Sequence, residues 1–241
     1  MKAILTVFLL SANLVWAQTS ERTTAPKQSS STNSAPRRIV YKAAAGSAPA
    51  ARVTGGSRGT GDSLVRLDVL SPDDTGLTTQ EQPSLFWYQS RPSQAGLELT
   101  LLEENKAKPL LHIKPGTSSK SGIQRLKLAD HGIKLEKDKE YQWVVALVTD
   151  PANRSSDLVA SGFIKRVELP AEVKEKLAKA APEERPAILA EAGIWHDALA
   201  SLSDLIEAQP NADRLRATRA DLLRQVGLTF AADSDKPKAQ N

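Results

Sequence analysis

Large apolar residues along this chain change their spacing at two places, and those changes divide it. From residue 64 they alternate with polar ones or gather in short runs of strand-forming types, the period-two signature of half-buried strands. Residues 64–70 form the first run, closed by the turn Ser71-Pro72-Asp73-Asp74. Leu85-Phe86-Trp87-Tyr88 follows between Pro83 and Pro92, and residues 97–102 and 110–113 flank the polar tip of a hairpin. Residues 122–128 alternate, 141–148 are strongly apolar and read as a central strand, and 158–167 complete the set. Seven short strands with no helical pattern between them predict an immunoglobulin-like antiparallel β-sandwich over residues 62–168, with Trp143 in the middle of its core.

At Leu169 the period becomes helical. Leu169, Val173 and Leu177 fall on one stripe behind Pro170, a residue suited to a first helical position. Pro182-Glu183-Glu184 opens a second helix that Gly193 ends in a left-handed cap. Ala198, Leu199, Leu202, Leu205 and Ile206 give a third an apolar face, and Asn211 is placed to cap a fourth that ends at Gly227. Gly193, Ala198, Leu202, Leu205 and Pro210 carry the spacing of the second half of a tetratricopeptide repeat, without the first half or a second copy. The expected fold is therefore α+β: a sandwich, then a half-repeat-like helical hairpin region over residues 169–230, then a disordered tail over 231–241. Val167-Glu168-Leu169-Pro170 joins the two parts with no flexible spacer. The helices should dock on the β-half through Val173, Leu177 and Leu189, with Trp195 as anchor.

The N-terminal part has a different character. Met1-Lys2, the apolar run over residues 4–15 and Val15-Trp16-Ala17 have the layout of a secretory signal, with cleavage expected after Ala17. The run is too short to span a membrane, which takes about 20 apolar residues. Residues 18–61 are rich in Ser, Thr, Ala, Pro and Gly, a composition that cannot offset the entropy of ordering. They read as a disordered basic linker, with seven Lys or Arg against the single acid Glu21. One island, Arg37-Arg38-Ile39-Val40-Tyr41-Lys42, interrupts it. It would suit contact with an anionic envelope polymer; the competing reading, a solvated stretch of linker, is preferred. Because most of the excess positive charge lies there, the net charge of +4 gives the folded part no claim on nucleic acid. The chain has no Cys, so apolar cores rather than disulfides or thiolate metal sites must hold the fold.

The stretches Leu85-Phe86-Trp87-Tyr88, Tyr141-Gln142-Trp143, residues 150–155, residues 162–167 and above all Ala190-Glu191-Ala192-Gly193-Ile194-Trp195-His196-Asp197-Ala198-Leu199 resemble a bacterial family, domain of unknown function 928, over residues 55–228. That family often has Cys at the positions of Thr60 and Thr149, so the resemblance implies that this chain has lost a bridge there. It implies an architecture and no activity.

Candidate chemistry is sparse. His112, His131 and His196 are far apart, and no metal site or cofactor is expected. His196-Asp197 beside Trp195 is the most suggestive group, set against a structural reading as an anchor under a helix start. Asp150, Asn153 and Asp157 share a loop that could offer oxygens to calcium, but it lacks the regular alternation of such loops. A turn built on Asp150, with Arg154 pairing locally, is the simpler reading. Trp87 and Tyr88 alternate across a strand, so only one faces inward; the other could be an exposed platform for sugar or protein, and the competing reading, a residue partly covered by a neighbouring loop, is preferred. No nucleophile elbow, phosphate loop or zinc-protease motif occurs. The expectation is a non-catalytic interaction module, periplasmic or secreted, whose partner is another envelope protein. The alternative is a carbohydrate or cell-wall binder, or a hydrolase using the aromatic or His-Asp group.

Overall fold

The computed structural model describes residues 38–43, 52–56, 65–104, 106–117 and 119–235. The segment read as a signal peptide lies outside them. Two sheets and five helices occur among the described residues, an α+β arrangement.

β1 (Gly55–Gly56), β2 (Arg66–Val69), β4 (Ser84–Gln89) and β7 (Gly122–Lys127) form one sheet in that order. The other takes the order β3 (Gly76–Thr78), β9 (Leu158–Arg166), β8 (Glu140–Val148), β5 (Gly96–Glu103) and β6 (Leu111–Thr117). The sheets are not wholly antiparallel as expected, because β3 runs parallel to β9. The sequence pattern missed β1 and β3, which have two and three residues and are too short to show an alternation.

Facing side chains of the two sheets make one apolar core. Leu67, Val69, Leu85 and Trp87 meet Leu99, Leu101, Val145, Leu147 and Ile164, with Trp143 in their midst at 1% exposure. The second face of the four-stranded sheet is covered as well. Leu70, Phe86 and Tyr88 belong to a second core, supplied mainly by the helices. Every residue of β4 is therefore buried, as expected of a strand with neighbours on both faces.

The helices are α1 (Ala171–Lys179), α2 (Arg185–Glu191), α3 (Trp195–Ala208), α4 (Asp213–Arg224) and α5 (Thr229–Ser234). Gly193 and Gly227 end their helices with φ of 78° and 75°, where a Cβ would be strained. Asn211 is not the cap expected; Ala212 stands at that position and no side chain bonds the first turn of α4. Val173, Leu189 and Trp195 are buried and Leu177 is partly so, but the docking on the sheets is made by α3, against β3 and β4, and by α5 against β7, while α1 packs on α2. Arg125 of β7 adds a polar clasp, reaching Asp204 of α3 at 2.5 Å.

Both ends of the expected plan need correction. The tail does not begin at residue 231, because Ala231 and Ala232 of α5 are buried and Asp235 accepts a forked pair of bonds from Arg219 at 2.6 and 2.7 Å. Nor are residues 18–61 a uniform linker. Ile39 is 3% exposed in the helical core, and Arg52 and Gly55 are tied to the β-half. Composition averaged over the segment hid these few apolar and basic anchors. The remainder of that segment lies outside the described residues.

Candidate functional site

The polar group singled out by the sequence lies where α3 meets the sheets. Trp195, fully buried, donates its indole N–H to the carbonyl of Leu70 at 2.8 Å. Next to it His196 is 1% exposed, and neither ring nitrogen has a hydrogen-bond partner of good geometry among the described residues. Burial pushes the imidazole down to about 3, opposed only by the backbone of Phe163, so the ring is neutral. A Cβ on Gly76 would stand 2.6 Å from Nε2, which leaves no room for a ligand on that side.

Asp197 is committed as well. Its Oδ1 accepts from the Thr78 hydroxyl at 2.5 Å, and its Oδ2 from the Thr79 backbone N–H at 3.0 Å and from the Thr79 hydroxyl. Burial raises this carboxyl, while the Thr78 and Thr79 bonds hold it down. The carboxylate ties the end of β3 to the first turn of α3, where the helix dipole also favours a negative charge. This constellation fastens the two halves together and offers no accessible base or ligand.

The aromatic platform is absent. Trp87 and Tyr88 are 6% and 7% exposed, one against each core, because the sheet that carries them is covered on both faces. Asp150 accepts the N–H of Ala152 at 2.9 Å and makes the turn expected of it. Arg154 pairs with Asp157 at 2.7 Å, as its local spacing suggests. It also grips Glu98 of β5 with both terminal nitrogens, at 3.2 and 2.7 Å, a partner that no local pattern reveals. Arg154 and then Lys114 hold Glu98 down to about 2. Asp150 is engaged by backbone and one oxygen of Asp157 by Arg154, and no group of three His, Asp or Glu able to hold a metal occurs among the described residues. Thr149 bonds Ser156 at 3.1 Å across the base of this loop. Thr60, the other position of the implied lost bridge, lies outside the described residues.

Two surface features were not read from the sequence. A cleft of about 450 Å³ opens where β9 runs into α1, lined by Lys137, Arg166, Glu168 and Lys174 among others. Glu168 sits between Lys137 at 2.6 Å and Lys174 at 3.4 Å, and Lys137 first and then Lys174 hold its carboxyl below the usual range. The cleft's charges are thus largely satisfied from within.

The other feature is a groove of the helical half, filled by residues 38–43. Along this segment Ile39 and the half-buried Tyr41 turn inward and Val40 and Lys42 outward, the alternation of an extended chain. The Tyr41 ring stands edge-on to Trp195, centroids 5.0 Å apart at 75°. The Gln225 amide reads the backbone on either side of Val40: its oxygen accepts from Tyr41 N–H at 2.8 Å and its nitrogen donates to Ile39 carbonyl at 3.2 Å. Lys42 N–H donates to the Ala190 carbonyl at 3.1 Å, and its ammonium meets Glu191 at 2.9 Å. Nearby, Arg52 donates to the carbonyls of Ser71 and Val226, at 2.6 and 3.1 Å. The island Arg37-Arg38-Ile39-Val40-Tyr41-Lys42 was the available signal, since it is the apolar interruption of an otherwise polar stretch.

No curated protein matches the sequence. Among solved structures, a multi-domain immunophilin from Arabidopsis thaliana aligns with 72% of this chain and 93% of its own at 11% identity, with a TM-score of 0.16, too low to support any argument about fold. The model of the Domain of Unknown Function (DUF928) family matches residues 53–236, most of the chain, and the protein belongs to that family.

Proposed function

We propose that this protein is an exported, non-catalytic interaction module of the bacterial envelope whose helical half binds extended polypeptide. One observation carries the reading: that half already holds such a segment, residues 38–43, through a bidentate side-chain amide on its backbone and two inward side chains. This is how peptide-recognition surfaces work, with main-chain bonds for affinity and side-chain slots for specificity. On this reading the β-half is an immunoglobulin-like scaffold and the α2–α3 pair a half-repeat-like hairpin packed on it. Export rests on the signal-like residues 1–17. No helix among the described residues is long and apolar enough to cross a membrane.

The carbohydrate reading loses its main support with the burial of Trp87 and Tyr88. The test is a pull-down from envelope extract beside a glycan array, both with the mature chain. Specific capture of an envelope protein is expected; binding to purified glycan with no protein captured would overturn the proposal.

A further inference from the structure

The groove's occupant belongs to the chain itself. Its two docked pieces, residues 38–43 and 52–56, converge on the turn after α4: Gln225 takes the backbone of Ile39 and Tyr41, and the next residue, Val226, takes the Arg52 guanidinium. They are held differently. Arg52 has a side chain only 7% exposed, and Val53 exchanges both backbone bonds with Ser161, at 2.9 and 3.0 Å. Among the described residues, 38–43 have no strand partner. Their polar contacts among the described residues include a side-chain amide, the carbonyl of Ala190 at the end of α2, and Glu191 through an ion pair exposed on both sides. Such a pair is weak in water.

We infer that residues 38–43 are a built-in, releasable occupant of a peptide site on the helical half. The site's external ligand is an extended segment of another polypeptide with an aliphatic residue, an aromatic residue two positions on, and then a base. Each element of that pattern has its complement: the apolar cluster of the helices for Ile39, the Trp195 ring for Tyr41, Glu191 for Lys42 and the Gln225 amide for the backbone between. A side-chain amide that donates to one carbonyl and accepts from the N–H two residues on reproduces the bonding of a neighbouring strand, so it selects extended chain rather than helix. Outside ligand and internal segment compete. The apparent affinity of the intact chain is lowered by the fraction of time its own segment leaves the groove.

This inference rests on the interaction-module reading and adds the ligand's chemistry and its control. The probe is a labelled peptide of residues 36–45, with a scrambled control, titrated onto the full-length chain. Ile39→Ser combined with Tyr41→Ser should empty the groove and bind the peptide at least about tenfold more tightly than the unmodified chain; adding Gln225→Ala should reverse that gain. A folded double variant that ignores the peptide, or binds the scrambled one equally, overturns the inference, as does equal binding by the unmodified chain. Hydrogen exchange of the unmodified chain gives an independent reading should the variant fail to fold. The Tyr41 and Lys42 amides should exchange about a hundredfold or more faster than those of Leu202 and Leu222 in the helical core; equal protection would make the segment part of the core and overturn the inference. If the mature chain captures an envelope protein but the emptied groove ignores the peptide, this inference falls and the broader reading stands. If the peptide binds and no protein is captured, the groove stands and the envelope partner does not.

Discussion

Trp195 lies at the first position of α3, fully buried, with its ring on Tyr41 and its N–H on the Leu70 carbonyl. Trp195→Ala removes a large buried ring and leaves that carbonyl without its partner, so it should cost about 3 to 5 kcal/mol, measured by urea unfolding. A loss below about 0.5 kcal/mol is what an exposed site gives and would contradict the placement. His196 makes a separate prediction about pH. In the unfolded chain it titrates near 6.5, whereas in the fold burial holds it neutral down to about 3. Between those values the unfolded state binds the additional proton, so stability falls as pH falls through that window. At about 1.4 kcal/mol per unit, the His196 contribution lost by pH 4.5 is about 2 to 3 kcal/mol. Asp197, raised by burial, acts in the opposite sense above its ordinary 3.8. His196→Leu should therefore show a smaller loss of stability than the unmodified chain between pH 7 and 4.5; equal losses would refute the assignment. The sequence brought Trp195, His196 and Asp197 into view together, and the anchoring role was one of its two readings of them. What it lacked was the partner set, because Leu70, Thr78 and Thr79 are more than a hundred residues away along the chain.

At the scale of elements, apolar periodicity located the long strands and the helical stripes, since burial of one face leaves its mark on every second or every third and fourth residue. Where burial came from both sides the mark was different. Leu85-Phe86-Trp87-Tyr88 is a continuous apolar run, the sign of a strand covered on both faces, and reading it as an alternating strand left one aromatic wrongly turned outward. Short anchors were the least legible. Ile39, Tyr41 and Arg52 are single residues in a polar stretch, and a single residue has no period. Their docking predicts that the first sixty residues contribute to stability. Burying Ile39 alone is worth about 1.5 to 3 kcal/mol, and Arg52 adds its bonds to Ser71, Val226 and Asp73. A chain beginning at Gly61 should melt about 5 to 10 °C below one beginning at Gln18, taking about 2 to 4 °C per kcal/mol at this size; equal melting temperatures would show that the docked pieces contribute nothing. At the other end, α5 is closed by Arg219 and Asp235, both under 10% exposed, with Ser203 on the third donor at 3.0 Å. Asp235→Ala leaves a buried guanidinium unpaired and should cost about 3 to 5 kcal/mol, read as a lower urea midpoint.

Across the whole molecule, the four-stranded sheet belongs to two cores at once. Leu67, Val69, Leu85 and Trp87 look toward the second sheet, while Leu70, Phe86 and Tyr88 look toward the helices. The core between the sheets is built by the β-half alone, whereas the helical core takes in one face of β4, so the helical half has no apolar interior independent of the sheet. The polar ties run the same way, from Trp195 to Leu70, from Asp197 to Thr78 and Thr79, and from Arg125 to Asp204. Independent domains are joined by exposed linkers that few contacts cross, whereas here β9 passes into α1 through residues 167–170, of which Val167, Glu168 and Leu169 line a cleft between strand and helix. The two halves should therefore unfold as one unit, giving a single calorimetric transition whose van't Hoff and calorimetric enthalpies agree. A defect in one half should be felt in the other. Trp143→Ala, in the core between the sheets, should lower the far-UV signature of the helices at the same temperature as it lowers the near-UV signal of Trp195, which reports the junction. If the helices instead melt in a separate step below the sheets, the shared sheet does not couple the two cores and the one-unit description fails.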